Sequence, residues 1–506
     1  MTDRRRLWIW GLGACAAACV LRLASLNLFL DRDEGEYATL AWLWRTGAGL
    51  PYRDWLEQKP PLAIAMNALA QGVFSDGVFG LRLVSLAWIL ATVLALLLTV
   101  ELLGRRGCLG WRLQRHAAAR VRLAGLAALF AAFLLSDGST QSLAANTETW
   151  QTLPLLGALA VLFAPEPQRL RPAHYLAAGC LIGVSSLFKQ TALAGVLLLP
   201  LASQDRDGRL LRCVFWTALG ALLPWAAAWA VFARGGAGLD FLQCTVAYNQ
   251  SYVLHGIWGS WRPALGLARR LAPELGPLAW LAYLGWRSLG RDRARRGWLG
   301  AWLALGLVAL AASGRYYPHY AILVLPPLAV LAAVGLAGFF EDSPGWSRMR
   351  GPRALRAYLA AAALCAYAWY NGGFWTHTSA RERTANLYHV ATFVTAPQAA
   401  KRIQELCPPS RNLFIWGDEA ELFYLAQRRP ATRFLFTYPF TGEAPPWPDG
   451  DREIMDGILD LNTGAAVKCK GLDPGEPLQQ HIFDVLREQY DGENSVYGFI
   501  LGARKR

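Results

Sequence analysis

Apolar runs long enough to cross a bilayer recur along most of this chain, and no other feature restricts its folding as severely. A helix needs about 20 residues to traverse hydrocarbon. Inside the bilayer every backbone N–H and C=O must be paired within the segment, so such runs fold as helices. About eleven are legible: 7–26, 83–103, 121–136, 149–164, 174–188, 191–203, 213–232, 273–287, 298–313, 320–340 and 355–372. The runs 174–188 and 191–203 meet at Lys189 with almost no loop between them, so they are expected to be tilted or only partly spanning. With 54% hydrophobic and 17% charged residues, the chain carries more apolar surface than one soluble core buries. The 22 tryptophans agree, because indole favours the boundary between headgroup and hydrocarbon. Arg4, Arg5 and Arg6 ahead of the first run have a signal-peptide layout. Arg22 and Asn27 stand where small residues would permit cleavage, which favours an uncleaved first span.

The net charge of +14 is dispersed in short clusters between apolar runs, which excludes a nucleic-acid-binding stripe. With the N-terminus in the cytoplasm, the inner segments (1–6, 104–122, 165–172, 203–212, 287–297 and 341–356) hold 23 Lys+Arg in 70 residues. The outer ones (27–82, 137–148, 189, 233–272 and 314–320) hold 11 in 116, the asymmetry that the positive-inside rule requires. The expected organisation is a transmembrane domain over 1–372 and a periplasmic domain over 373–506 of a bacterial inner-membrane protein. In the tail, Leu413–Trp416, Arg433–Thr437 and Val496–Leu501 read as strands and 398–406, 419–426 and 480–490 as helices, giving a small α/β domain. The nine cysteines form no C-x-x-C pair; Cys407 and Cys469 share the tail and read either as a disulfide or as two free thiols.

Chemistry-bearing residues crowd the outer segments. Asp31, Asp33, Glu34 and Glu36 place four carboxylates in six residues directly after the first span. They read either as a wet acidic loop or as the source of a general base for an attacking hydroxyl. Asp33 and Glu34 lead the second reading, because Gly35 beside them permits a tight backbone turn. Next comes Gln58-Lys59-Pro60-Pro61, where the prolines start a short apolar helix over about 62–74, suited to the membrane interface. Lys59 reads equally as a snorkelling lysine or as a cation for a lipid phosphate. Asn146-Thr147-Glu148 opens the fourth span, with Thr147 as a helix cap and Glu148 as a second outer acid. Lys189-Gln190-Thr191 sits between two short spans, where an amine needs an anionic partner. The run from Gly314 to Tyr320 supplies Arg315 as a permanent cation, Tyr317, and His319, which by itself reads first as a hydrogen-bonded boundary residue and otherwise as a donor, ligand or proton carrier. Arg22 and Arg82 add to the outer cations. The loop 233–272 contributes Tyr248, Asn249, Gln250, Tyr252, His255, Trp258 and Trp261, read either as sugar-binding groups or as an interfacial aromatic belt. The acids and cations are expected to gather at one outer rim.

Taken together, Asp33-Glu34-Gly35-x-Tyr37, Lys59-Pro60-Pro61, Asn146-Thr147-Glu148, Lys189-Gln190-Thr191 and Arg315 to Tyr320 resemble the polyprenyl-phosphate-dependent glycosyltransferases of the GT-C superfamily. The nearest likeness is to the glycosyltransferase 39 group, which includes protein O-mannosyltransferases and the lipid A aminoarabinose transferase. The resemblance covers about 1–340. In the tail, Phe414-Ile-Trp-Gly-Asp-Glu419 and Arg428-Arg-Pro-Ala-Thr-Arg433 look like segments of bacterial members. It implies an inverting, single-displacement transfer from a polyprenyl-phosphate sugar to a lipid, glycan or protein acceptor at the periplasmic face. Asp33, with Glu34 and Glu148, would supply the acid–base groups. Lys59, Arg315, Lys189 and Arg82 would hold the carrier phosphate. Tyr37, Asn146, Tyr248, Asn249, His255, Tyr317 and His319 would line the substrate.

The pattern departs from the aminoarabinose transferase where that enzyme has an acid before the lysine. Gln58 stands there, Glu57 is one residue earlier, and His255 is left without that carboxylate partner, so no obligatory metal is expected. A transporter of lipid-linked sugars also needs a polar cavity and cations, but it favours repeats and midplane polar groups. A scaffold protein leaves the outer acids and cations without a role.

Overall fold

Helices follow the apolar runs with few exceptions. The computed structural model describes residues 2–75, 77–109, 116–166, 169–196, 210–257, 261–289, 293–340, 353–377, 379–441, 447–469, 477–496 and 498–505. Among the described residues, five helices are long and apolar enough to cross a membrane: Asp3–Leu23, Val78–Arg105, Ala117–Leu134, Leu210–Arg234 and the stretch Pro318–Gly338. Helices Thr147–Phe163, Pro172–Ser186, Arg262–Ser288, Arg293–Ala311 and Arg353–Thr376 cover further expected spans. The run expected at 191–203 begins instead as a 3₁₀ turn, Gln190–Ala194, and 197–209 lie outside the described residues.

The chain divides into two compact units, each assembled from separate stretches. The first comprises Met1–Leu26, Arg82–Ala227 and Ser260–His377. Lipid tails are as apolar as leucine, so helices in a bilayer associate through close contact rather than water exclusion. Small residues supply that contact here. A Cβ on Gly179 would stand 2.1 Å from the Thr217 carbonyl oxygen, and one on Gly285 would stand 2.0 Å from that of Leu331. Helices Pro172–Ser186 and Leu210–Arg234, and likewise Arg262–Ser288 and Leu325–Phe340, therefore cross backbone to backbone. Arg22 does not serve as an outer cation. It is 2% exposed, and its guanidinium donates to the carbonyls of Leu135, Ser142 and Leu143 and to the Ser85 hydroxyl, bracing the helix ends.

The second unit comprises Asn27–Leu81, Ala228–Gly259 and Thr378–Arg506. The acidic stretch after the first span is not a loop but the helix Arg32–Arg45, buried from Glu34 to Leu43. Gly35 accordingly serves close packing rather than a turn: a Cβ there would stand 2.4 Å from Glu421 Cβ and 2.8 Å from its Cα. Thr39 strengthens the same contact by donating its hydroxyl to the Ala420 carbonyl at 2.8 Å. Helix Leu62–Phe74 buries Asn67 and Gln71 and exposes Leu69, Val73 and Phe74, the inverted polarity that suits a helix facing lipid.

The tail forms a four-stranded sheet in the order β1-β2-β4-β3: β1 (Asn412–Trp416), β2 (Thr463–Cys469), β3 (Tyr490–Val496) and β4 (Phe499–Arg504). β1 and β2 are parallel and the other neighbours antiparallel. Helices Ala391–Leu406, Glu421–Ala426 and Pro477–Gln489 fall where the periodicity places them, and β1 matches its apolar run. Two strand expectations fail. Segment 433–437 is irregular: Phe434, Leu435 and Phe436 are buried in succession rather than alternately, and the Thr437 N–H is taken by the Asp418 carboxylate at 2.8 Å. Val496–Leu501 is not one strand, since β3 ends at Val496 and the chain reverses through Gly498 (φ +93°) into β4. Cys407 and Cys469 are both free thiols and buried; Cys469 Sγ lies 2.8 Å from Glu419 Oε2.

Candidate functional site

Two lysine–carboxylate pairs emerge, one in each unit. In the second unit, Asp31 is the N-cap of helix Arg32–Arg45: its carboxylate accepts the Glu34 N–H at 2.8 Å, and Glu34 returns the bond to the Asp31 N–H at 3.2 Å. Glu34 is thereby turned back onto its own helix end and fully buried. Asp33 is left to face Lys59, whose Nζ lies 3.2 Å from Asp33 Oδ2 and 5.0 Å from the centre of the Tyr37 ring. Asp33, Glu36 and Tyr37 share one helix face by their three- and four-residue spacing.

Glu57 accepts the Lys59 N–H at 2.6 Å, and its charge acts on Glu36. Burial, then the charge of Glu57, pushes the Glu36 carboxyl well above its usual range; burial also raises Glu57. Three carboxyl groups thus stand around one ammonium. Burial opposes the charged form of Lys59, but Asp33, Tyr37, Glu36 and Glu57 outweigh it and hold the ammonium well above its ordinary value. Glu36 Oε1, Glu57 Oε2 and the Tyr37 hydroxyl are buried without a hydrogen-bond partner. Tyr438 joins this group from the tail: burial first, then Glu36, Tyr248 and Glu57, pushes its phenol well above the usual range.

A π-helical turn, Gln243–Tyr248, brings Asn249 to the same segment, and its amide donates to the Gln58 carbonyl. Tyr248 packs against Trp447 at 5.4 Å, and Tyr252 against Tyr438 at 6.3 Å. His255 is exposed on helix Asn249–Ile257, and Trp258 lies outside the described residues. Among the described residues no group of three or more His, Cys, Asp and Glu side chains is arranged to hold a metal ion.

In the first unit, helix Thr147–Phe163 starts one residue earlier than a Thr147 cap requires, so the capping position falls to Asn146. Glu148 in its first turn is 2% exposed, pairs with the Lys189 ammonium and accepts the Thr147 hydroxyl at 2.9 Å. Lys189 Nζ also lies 3.3 Å over the Tyr320 ring, and the Gln151 amide donates to the Lys189 carbonyl. His319 is buried, with Nδ1 3.3 Å from Gln141 Oε1, and it stacks on Tyr317 with ring centres 5.8 Å apart. Arg315 is half-buried two residues before the exposed Tyr317. Arg82 is 2% exposed near the start of helix Val78–Arg105, and Asn146 is fully buried.

Glu36, Glu57, Gln151 and Tyr438 were not among the expected site residues. Glu36 and Gln151 each lie one helical turn beyond an expected acid, a signal open to spacing; Glu57 sits two residues before Lys59. Nothing in the local sequence points to Tyr438.

The helix order and the small sheet domain give this chain, with its several helices apolar enough to cross a membrane, the GT-C fold. The structure superposes on ArnT from Cupriavidus metallidurans bound to undecaprenyl phosphate with a TM-score of 0.59, 18% identity and 98% of each chain covered. It also superposes on the Archaeoglobus fulgidus oligosaccharyltransferase AglB, in complex with an inhibitory peptide and a dolichol-phosphate, at a TM-score of 0.51 and 15% identity, covering 98% of this chain and 74% of that one. In sequence, the chain is 28% identical over 407 residues to an undecaprenyl phosphate-alpha-4-amino-4-deoxy-L-arabinose arabinosyl transferase of Pseudomonas paraeruginosa, a match taking in 72% of this chain and 66% of that relative. No family model matches the chain.

Proposed function

We propose that this protein transfers a sugar from a polyprenyl-phosphate carrier to a lipid, glycan or protein acceptor, at the periplasmic face of a bacterial inner membrane with its N-terminus in the cytoplasm. The observation that carries the reading is the Lys59–Asp33 pair, a charged lysine held beside a carboxylate in a mostly buried setting. The acceptor oxygen attacks the anomeric carbon, the bond from that carbon to the phosphate oxygen breaks, and its electron pair leaves with the carrier phosphate. Asp33 takes the hydroxyl proton, and Lys59 exchanges its carboxylate contact for the phosphate whose charge develops in the transition state. A stabilised phosphate needs no proton on departure. Glu34, engaged in capping, supports its helix rather than the proton transfer. Tyr248, Asn249 and Tyr37 supply the sugar contacts.

The sugar class, pentose or hexose, belongs to the test. Purified protein is incubated in detergent with a panel of radiolabelled polyprenyl-phosphate sugars and membrane extract, comparing wild type with Asp33→Asn and Lys59→Ala. One panel member is expected to be transferred by wild type and by neither variant; equal transfer by all three proteins overturns the assignment. Cysteine labelling of the loops tests orientation separately.

A further inference from the structure

Arg428 and Arg433 bound a tail motif that the proposed reaction leaves without a task. The structure separates them. Arg428 is 6% exposed and turned inward, donating to the carbonyls of Cys407 at 2.6 Å, Ala426 at 3.0 Å, Gln427 at 3.2 Å and Gln404 at 3.3 Å. It closes the C-terminal end of helix Ala391–Leu406 onto the residues after helix Glu421–Ala426 and braces the tail itself. Arg433 reaches the other way. Its Nη2 donates to the Tyr52 carbonyl at 3.0 Å, and its own carbonyl accepts the Leu56 N–H at 2.8 Å.

Those two bonds grip a segment that ends on Lys59. Tyr52 holds the left-handed conformation (φ +76°), rare for a residue with a ring, and its N–H donates to the Trp55 carbonyl at 2.7 Å. Its hydroxyl donates to the Lys59 carbonyl at 3.0 Å, so the residue Arg433 fixes at one end fixes Lys59 at the other. A backbone held in an unfavourable region persists only where its surroundings over-determine it, and Arg433 supplies part of that constraint. The Arg433 guanidinium lies 5.3 Å from the Trp447 ring and 3.9 Å from Glu453 Oε2, both on the tail. The tail also holds the opposite partner, since Gly35 and Thr39 seat the Asp33 helix on Glu421 and Ala420.

We propose that Arg433 is a positioning residue for Lys59: by fixing the Tyr52–Leu56 turn, the tail sets the Lys59 ammonium opposite Asp33. The inference rests on the reading of Lys59 as the cation that takes the carrier phosphate.

Two measurements on the full-length protein in nanodiscs separate the claims. The first is the rate at which an amine reagent labels Lys59, read by mass spectrometry. Arg433→Ala is expected to raise that rate about tenfold, given how steeply function depends on about 1 Å of placement. Arg433→Lys, which keeps a donor for the Tyr52 carbonyl, is expected to restore most of the protection. Lys189 labelling and the thermal midpoint are expected to stay at wild-type values, whereas Arg428→Ala lowers the midpoint. Unchanged Lys59 labelling in Arg433→Ala overturns the inference, as does labelling that rises only together with loss of the thermal midpoint. The second measurement is binding of undecaprenyl phosphate. If Lys59→Ala binds it as wild type does, the phosphate role of Lys59 fails, while the labelling experiment still decides the positioning claim.

Discussion

The two lysine–carboxylate pairs are built from the same groups and set in opposite surroundings. Glu148 and Lys189 in the first unit pair closely, with side chains 2% and 12% exposed and a tyrosine ring covering the ammonium. Lys59 in the second unit is outnumbered by Asp33, Glu36 and Glu57, and the Asp33 side chain is 23% exposed. A close buried pair is spent on its own compensation, because removing either charge strands the other. An outnumbered lysine beside a partly open carboxylate is different: an incoming phosphate can replace one of several anions without leaving the cation bare. On this comparison the second unit carries the exchangeable pair, and the first unit a pair that holds helices in place.

The largest expected effect tests that division directly. Lys59→Ala should lower sugar transfer by about 10²–10³-fold, the usual scale for loss of one group that stabilises transition-state charge, measured as kcat/KM on the active panel member. If Lys189→Met falls as far in kcat/KM at unchanged stability, the two pairs are functionally alike and the contrast breaks.

Stability should rank the pairs the other way. Lys189→Met strands a buried Glu148 and should cost about 3–5 kcal/mol in unfolding experiments in detergent, with the Glu148→Gln/Lys189→Met double variant recovering most of it. Lys59→Met leaves Asp33 partly in water and should cost clearly less.

Smaller still is the packing beneath Asp33. Gly35→Ala forces a methyl group into Glu421 and should cost about 1–3 kcal/mol with a matching loss of transfer. Gly72→Ala, where a Cβ meets nothing within 4 Å, is the control, with stability unchanged or raised by up to about 1 kcal/mol.

The smallest effect is a pH trend. The folded-state affinity of Glu36 for its proton is raised by burial and by Glu57, so the folded protein holds a proton that the unfolded chain releases above its ordinary value of 4.5. That contribution is complete below this value and is lost as pH rises through the folded-state value, so the thermal midpoint should decline toward alkaline pH. Glu36→Gln, neutral throughout, should flatten the decline; an unchanged slope would show that Glu36 is not its source.

Much of this arrangement was open to inspection of the residues alone. The Asp33–Glu34–Gly35 stretch, Lys59 and Glu148 were singled out by charge at the ends of apolar runs, and each proves to be buried or half-buried. Their partners were not legible in the same way. Four carboxylates between Asp31 and Glu36 look equivalent in sequence, and only the capping geometry at Asp31 withdraws Glu34 and leaves Asp33 for the lysine. Gly35 was noted for its freedom to turn, whereas its use is the absence of a side chain against Glu421. Segment 433–437 has the composition of a strand, yet its backbone groups are claimed by Asp418 and Leu56 before any strand can pair with it.

The sequence by itself determined that this chain is a helical membrane protein with a small sheet domain. In hydrocarbon each helix must satisfy its own backbone, so the decision is made within every run of about 20 residues. Tertiary structure alone decided which acid meets which lysine. Glu148 and Lys189 are 41 residues apart, and Tyr438 and Arg433 reach the stretch from Glu36 to Glu57 from the far end of the chain. Pairing of that kind depends on how finished elements pack, and no local pattern of residues encodes it.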